Sequence, residues 1–105
     1  MKNIQLTCAH ALIKYLIDQK TLIDGKKVPL FPGVFGIFGH GNVACLGQAL
    51  QENQKDLPTW RGHHEQNMAL TGIAYSRAKR RKQIFVATSS VGPGSTNMIT
   101  AAAVA

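Results

Sequence analysis

A chain of 105 residues supports one small domain with a single modest core, and 45% hydrophobic against 16% charged residues excludes a disordered polyelectrolyte. No apolar run approaches the ~18 residues of a membrane span, and the opening MKNIQLTCAHALIKYLIDQK is charged throughout, unlike a secretory signal. The net charge of +7 invites an anionic partner, while Cys8 and Cys45, without CxxC or finger spacing, read as buried free thiols of a reducing cytoplasm.

Thr7 is placed to cap a helix whose apolar positions Ala9, Leu12, Ile13, Leu16 and Ile17 follow the three-and-four spacing. LIDGKKVPLFPG, with Asp24-Gly25 and two prolines, reads as a turn-rich connector. VFGIF, residues 34–38, is a short buried strand; GHGN turns the chain, and VACLGQALQE forms a short helix. LPTWRG gives a second strand, followed by a long helix from His64 to about Arg81. The basic run Arg77, Lys79, Arg80, Arg81 and Lys82 falls at the end of that helix, where cations suit the negative pole of its dipole. No aromatic residue interleaves with the run, so it reads first as a solvated helix end, with a nucleic-acid patch or localisation signal as the lesser alternative. QIFVATSS is the third strand, VGPGSTN a tight loop, and MITAAAVA the start of another helix. Trp60 and the two tyrosines are expected in the core or against its edge.

The order is one helix, then three strand–helix units. Such alternation predicts an α/β fold with a three-layer parallel sheet and right-handed crossovers. Ligands of open α/β sheets bind outside the carboxyl ends of the strands. GHGN, GHHE and SSVGPGSTN all fall there, so three loops should converge on one edge. The last helix reaches Ala105 after barely two turns without a stop signal, and three parallel strands leave both edges open. The chain therefore reads as an incomplete domain, residues 1–105 being the opening of a longer protein, with exposed apolar surface that predicts self-association of the isolated piece.

Several site chemistries compete at that edge. GHGNVA, residues 39–44, fits the G-x-G-x-x-A dinucleotide fingerprint, but the second strand ends in Arg61-Gly62 where an acidic residue is expected. His40, His63 and His64 suggest a metal, yet adjacent histidines do not share a helix face and HHEQNMA lacks the second histidine of H-E-x-x-H. Ser95, Thr96 and nearby N–H groups open a helix and suit an anion or a ring edge. Glu65, one of five acidic residues, heads the long helix; it is either a first-turn cap or a working acid/base group whose pKa desolvation raises.

FGHGN, GHHEQNMALTGIAYSRA and TSSVGPGSTNMITAAAVA resemble, in order and along nearly the whole chain, the N-terminal pyrimidine-binding domain of thiamine-diphosphate-dependent enzymes. The first and third segments look closest to the branch that opens a trihydroxycyclohexane dione ring in inositol breakdown. The resemblance implies that Glu65 hydrogen-bonds a ring nitrogen of the cofactor's aminopyrimidine and stabilises the imino tautomer that deprotonates the thiazolium carbon. It implies that Gly92, Pro93 and Asn97 shape the pyrimidine pocket and that His40, Gly41 and Asn42 face the substrate. His63 and His64 then belong beside the site and not to a metal. Mg²⁺ in this family is held with the diphosphate by a separate domain through a GDG motif, which this chain lacks. The family's sites form between subunits, implying a homodimer or homotetramer, a small cyclic dione as partner, and a cytoplasmic enzyme whose first 105 residues are inactive alone. The alternatives are another thiamine-diphosphate carboligase or decarboxylase, a dinucleotide-binding oxidoreductase, and a basic nucleic-acid-binding module.

Overall fold

In the computed structural model, which describes residues 3–105, the Thr7 hydroxyl accepts from the His10 N–H at 3.2 Å and starts helix α1, Cys8–Asp18. Ile13 is buried at its centre, with Ala9, Leu16 and Ile17 around it as the spacing predicts, whereas Leu12 of the same periodic set is exposed. Tyr15 points away from the core and is exposed.

The connector after α1 is more ordered than its composition suggests. Strands β1, Lys20–Ile23, and β2, Lys26–Pro29, pair antiparallel. Asp24 and Gly25 both take positive φ, 51° and 77°, the two-residue turn that suits the right-handed twist of a hairpin. Asp-Gly signalled that turn; weak alternation in the flanking residues concealed the strands.

The central sheet is parallel, in the order β4-β3-β5, with β3 spanning Val34–Gly36, β4 Thr59–Arg61 and β5 Val86–Thr88. Val34 lies opposite Thr59 on one side and Val86 on the other. Strand alternation separates two packing environments. Val34 and Val86 face α1 and helix α3, Leu46–Glu52, where Ile13, Val34, Ala49, Leu50 and Leu57 form the buried aliphatic core. Phe35, Trp60 and Phe85 face the other way. Phe35 stacks on Phe85 at 4.8 Å, and Tyr75 of helix α4, Glu65–Ala78, meets Phe85 edge-on at 4.7 Å. Helix α6, Ile99–Val104, packs against α4, giving the third layer.

Three boundaries differ from expectation. GHGN opens helix α2, Gly39–Ala44, and is not only a turn; VGPGSTN contains the single-turn helix α5, Pro93–Thr96, with Pro93 at its first position. Helix α4 stops at Ala78, before Arg81, because Arg80 and Arg81 enter the left-handed region at φ 53° and 62° and the Arg81 N–H turns back to the Ser76 carbonyl at 2.7 Å. Only Arg77 of the basic run is helical, and its guanidinium donates to the Val104 carbonyl at 2.8 Å. Cys8 and Cys45 are free, as expected, but exposed: one opens α1 and the other joins α2 to α3, both away from the aliphatic core. Among the described residues, no helix is long and apolar enough to cross a membrane, and neither β4 nor β5 has a strand on its outer edge.

Candidate cofactor site at the carboxyl edge of the sheet

The three parallel strands end on the same side, and the loops that leave them are tied together by hydrogen bonds. After β5 the chain runs through Ser89 and Ser90 toward α5. The Ser90 hydroxyl donates to Glu65 Oε2 at 2.8 Å, joining the third loop to the head of α4. Asn42, from the first loop, donates its amide to the Ser89 carbonyl at 3.2 Å. Ser95 donates to the Ser90 carbonyl at 3.0 Å, and the Ser89 hydroxyl, also 3.0 Å from the Ser95 Oγ, completes the bracing. The convergence expected of the three loops is therefore a connected polar network.

His64 settles how α4 begins. It is the N-cap, in extended backbone, and its Nδ1 accepts from the Asn67 N–H at 3.3 Å. An accepting Nδ1 leaves the proton of the neutral ring on Nε2, which sits 3.1 Å from the Asn97 carboxamide nitrogen as assigned. A donor must face an acceptor, so the Asn97 amide presents its oxygen there after a flip. Asn97 is thus brought to the head of α4. Glu65 follows His64 as the first helical residue, partly exposed, its carboxylate beside the positive pole of the helix.

The raised pKa expected for Glu65 is not found. The Ser90 hydroxyl, then the backbone N–H of Glu65 itself, hold the carboxyl below the ordinary value of 4.5; slight desolvation opposes them, and the Ser90 N–H and nearby His64 add to the lowering. Donors to the ionised form outweigh burial because the carboxylate sits on an open edge.

Two glycines make this seat possible. Gly92 has φ 66°, a left-handed turn that directs the chain into α5. A Cβ on buried Gly94 would overlap both Glu65 Oε2 and the Ser90 Oγ, so only glycine lets α5 close over that pair. Gly92, Pro93, Thr96 and Asn97 line a shallow open concavity beside it. A second cleft, of about 450 Å³, lies between the ends of β3 and β4, lined by Phe38, Gly39, Gln51, Thr59 and Arg61 among others.

Of the residues singled out in the sequence, the structure brings Glu65, Asn97, Gly92, Pro93 and Asn42 to this edge. His40 and Gly41 are exposed on α2, and the His40 and His63 side chains make no hydrogen bond among the described residues. A Cβ at Gly41 would meet nothing within 4 Å, so no close packing requires that glycine of the dinucleotide fingerprint. No three His, Cys, Asp or Glu among the described residues converge as a metal site. Ser90 and Gly94 escaped the sequence reading. Their signal was the pair of serines before a Gly-Pro-Gly, but nothing local says that Ser90 faces a residue 25 positions away.

Residues 32–105 match the family described as thiamine pyrophosphate enzyme, N-terminal TPP binding domain. The whole chain is 52% identical to a 3D-(3,5/4)-trihydroxycyclohexane-1,2-dione hydrolase of Geobacillus thermodenitrificans and 50% identical to those of Clostridium tetani and Bacillus thuringiensis. It spans 16% of the length of each of these relatives. With its three-stranded parallel sheet between helical layers and this match over most of its length, the chain belongs to the thiamine pyrophosphate enzymes, in the N-terminal TPP-binding domain.

Proposed function

We propose that this chain supplies the pyrimidine-binding side of a thiamine-diphosphate site in an enzyme that hydrolyses a C–C bond of a trihydroxycyclohexane-1,2-dione. The observation that carries the reading is the carboxylate of Glu65, held at the carboxyl edge of the sheet with Oε2 on the Ser90 hydroxyl and Oε1 without a side-chain partner. The residues fit the cofactor: a carboxylate oxygen without a side-chain partner suits a ring nitrogen, and the Gly94 cradle admits the pair that a side chain would displace. When bound, thiamine diphosphate supplies a nucleophilic carbon and an electron sink for cleavage beside a carbonyl. Glu65 would hold or yield a proton at the ring nitrogen, and Asn97, Gly92 and Pro93, which line the neighbouring concavity, would bound the ring. Asn42 keeps the first loop against the Ser89 carbonyl. On the substrate side, the cleft lined by Arg61, Gln51 and Thr59 offers donors and acceptors suited to a polyhydroxylated ring, with His40 and Gly41 on the adjoining helix.

The specific dione is the one for which relatives about half identical to this chain are named. Mg²⁺ and the diphosphate are assigned to a separate domain, and the assembly to a homodimer or homotetramer, by resemblance to the family. The test replaces the first 105 residues of the Geobacillus relative with this chain and measures hydrogen–deuterium exchange at the thiazolium carbon. Glu65→Gln should slow exchange by about 10²- to 10⁴-fold, the usual contribution of a positioned acid/base, with little change in melting temperature. Exchange at the parental rate in that variant would sink the assignment.

A further inference from the structure

We propose that Ser90 is a positioning residue: its hydroxyl holds one carboxylate oxygen of Glu65, leaving the other for the pyrimidine nitrogen, and drives their shared proton onto the ring. This rests on the function proposed above and adds a residue and a direction of proton transfer to it.

The geometry gives Ser90 little freedom. Its carbonyl accepts from Ser95 and the Ser89 carbonyl beside it from Asn42, so its backbone is held from α5 and α2 together. A Cβ on Gly39 would lie 2.9 Å from the Ser90 Cβ, so the first loop also closes on it from behind. Gly94 bounds the hydroxyl and Glu65 Oε2 on the remaining side. Within that enclosure the hydroxyl donates to Oε2 at 2.8 Å.

The chemical consequence follows from what the hydrogen bond favours. A donor on the carboxylate stabilises the ionised form, so the protonated form gives up its proton more readily. Ser90 is the largest cause of the lowered Glu65 pKa. Other charged groups around it are few: His64, on the same helix, lowers it slightly further, and the β5–α5 segment brings serine hydroxyls and backbone. Held below 4.5, the carboxyl is ionised near neutral pH, so a proton taken up from solvent and shared between Glu65 Oε1 and a pyrimidine nitrogen is biased toward the nitrogen. The proton then rests on the ring, with the negative charge left on Glu65 and shared with Ser90. No bond other than the one to this proton is made or broken.

The chain has two glutamates, Glu52 and Glu65, so glutamate-selective ¹³C labelling of the side-chain carboxyl gives two titrations in the 105-residue chain, free of the three aspartates, and Glu52→Gln assigns them. Ser90→Ala should raise the Glu65 midpoint by about 0.5–1 pH unit, a three- to tenfold loss of acid strength, with Glu52 unmoved as the internal reference. Ser90→Thr, which retains the hydroxyl, should restore it. In the hybrid enzyme described above, Ser90→Ala should carry the acid limb of the thiazolium-exchange pH profile upward with the midpoint. An unmoved Glu65 midpoint in a folded Ser90→Ala chain overturns the proposal, as does a profile that stays in place when the midpoint moves. Failure of the cofactor reading is registered separately, by Glu65→Gln leaving exchange unaltered.

Discussion

The two ends of the three-stranded sheet solve the same problem, joining strands to helices, with opposite materials. At the carboxyl end three loops are stitched by side chains: Asn42 to Ser89, Ser90 to Glu65, and His64 to Asn97. At the amino end the links are mostly backbone and a single buried amide. The Leu30 N–H reaches Gln19, the Ile84 N–H reaches Leu30, and Gln83 donates to the Pro29 carbonyl while accepting from the Tyr75 hydroxyl. Most of the basic run lies at this amino end, in the left-handed turn before β5, at the opposite end of α4 from Glu65. Excess positive charge therefore says nothing about the candidate site. The polar side chains that matter there are mostly neutral, and they orient one carboxylate.

Both ends stand on one aliphatic core, and the largest effect comes from breaking that. Leu57 is fully buried between α3 and β4, and Leu57→Ala should destabilise the chain by about 2–5 kcal/mol, measured by urea unfolding, with both ends lost together. Loss confined to one end would mean that the ends fold independently.

Gly94→Ala sharpens the contrast at the carboxyl end. By propensity alone, alanine in a helix stabilises by about 1 kcal/mol over glycine. Here the new Cβ would displace Glu65 Oε2 and the Ser90 Oγ, which are ends of side chains and can give way. Stability should therefore stay within about 1 kcal/mol of the parent, while the Glu65 titration midpoint rises toward the ordinary 4.5 as its donor is lost. A stable variant with an unchanged midpoint would show that the seat does not depend on this glycine. The sign for stability runs the same way. A carboxyl held below 4.5 by the fold contributes stability that is present above 4.5 and lost as pH falls through the folded value, so the parent should lose more on acidification than Gly94→Ala.

The smallest effect belongs to the amino end. Arg81 occupies the left-handed region at φ 62°, where a side chain is strained and glycine is not. Arg81→Gly should raise stability by about 0.5–1 kcal/mol and leave the Glu65 titration where it was. A shift in that titration would tie the two ends together and break the comparison.

Glu65 was legible because a carboxylate at a helix head, after a strand and between glycine-rich turns, has a limited set of uses. The glycines of VGPGSTN were legible as a turn for the same local reason. Ser90 was not, because its role is a contact with a residue 25 positions away, and serine before a turn has many uses. The sign of the Glu65 pKa shift was misjudged for a related reason: burial was inferred from location, whereas the decisive quantity was the number of donors that reach the carboxylate.

The sequence by itself determined the alternation of strands and helices, the parallel sheet and the edge where its glycine-rich loops gather, since period and turn composition are local properties of the chain. Tertiary structure decided which polar side chains meet at that edge. It also decided that a hairpin precedes the sheet, that α4 yields to a left-handed turn before its basic run is complete, and that Gly94 is needed as a space as much as a turn. Those outcomes depend on distances between residues far apart in sequence, and only packing fixes such distances.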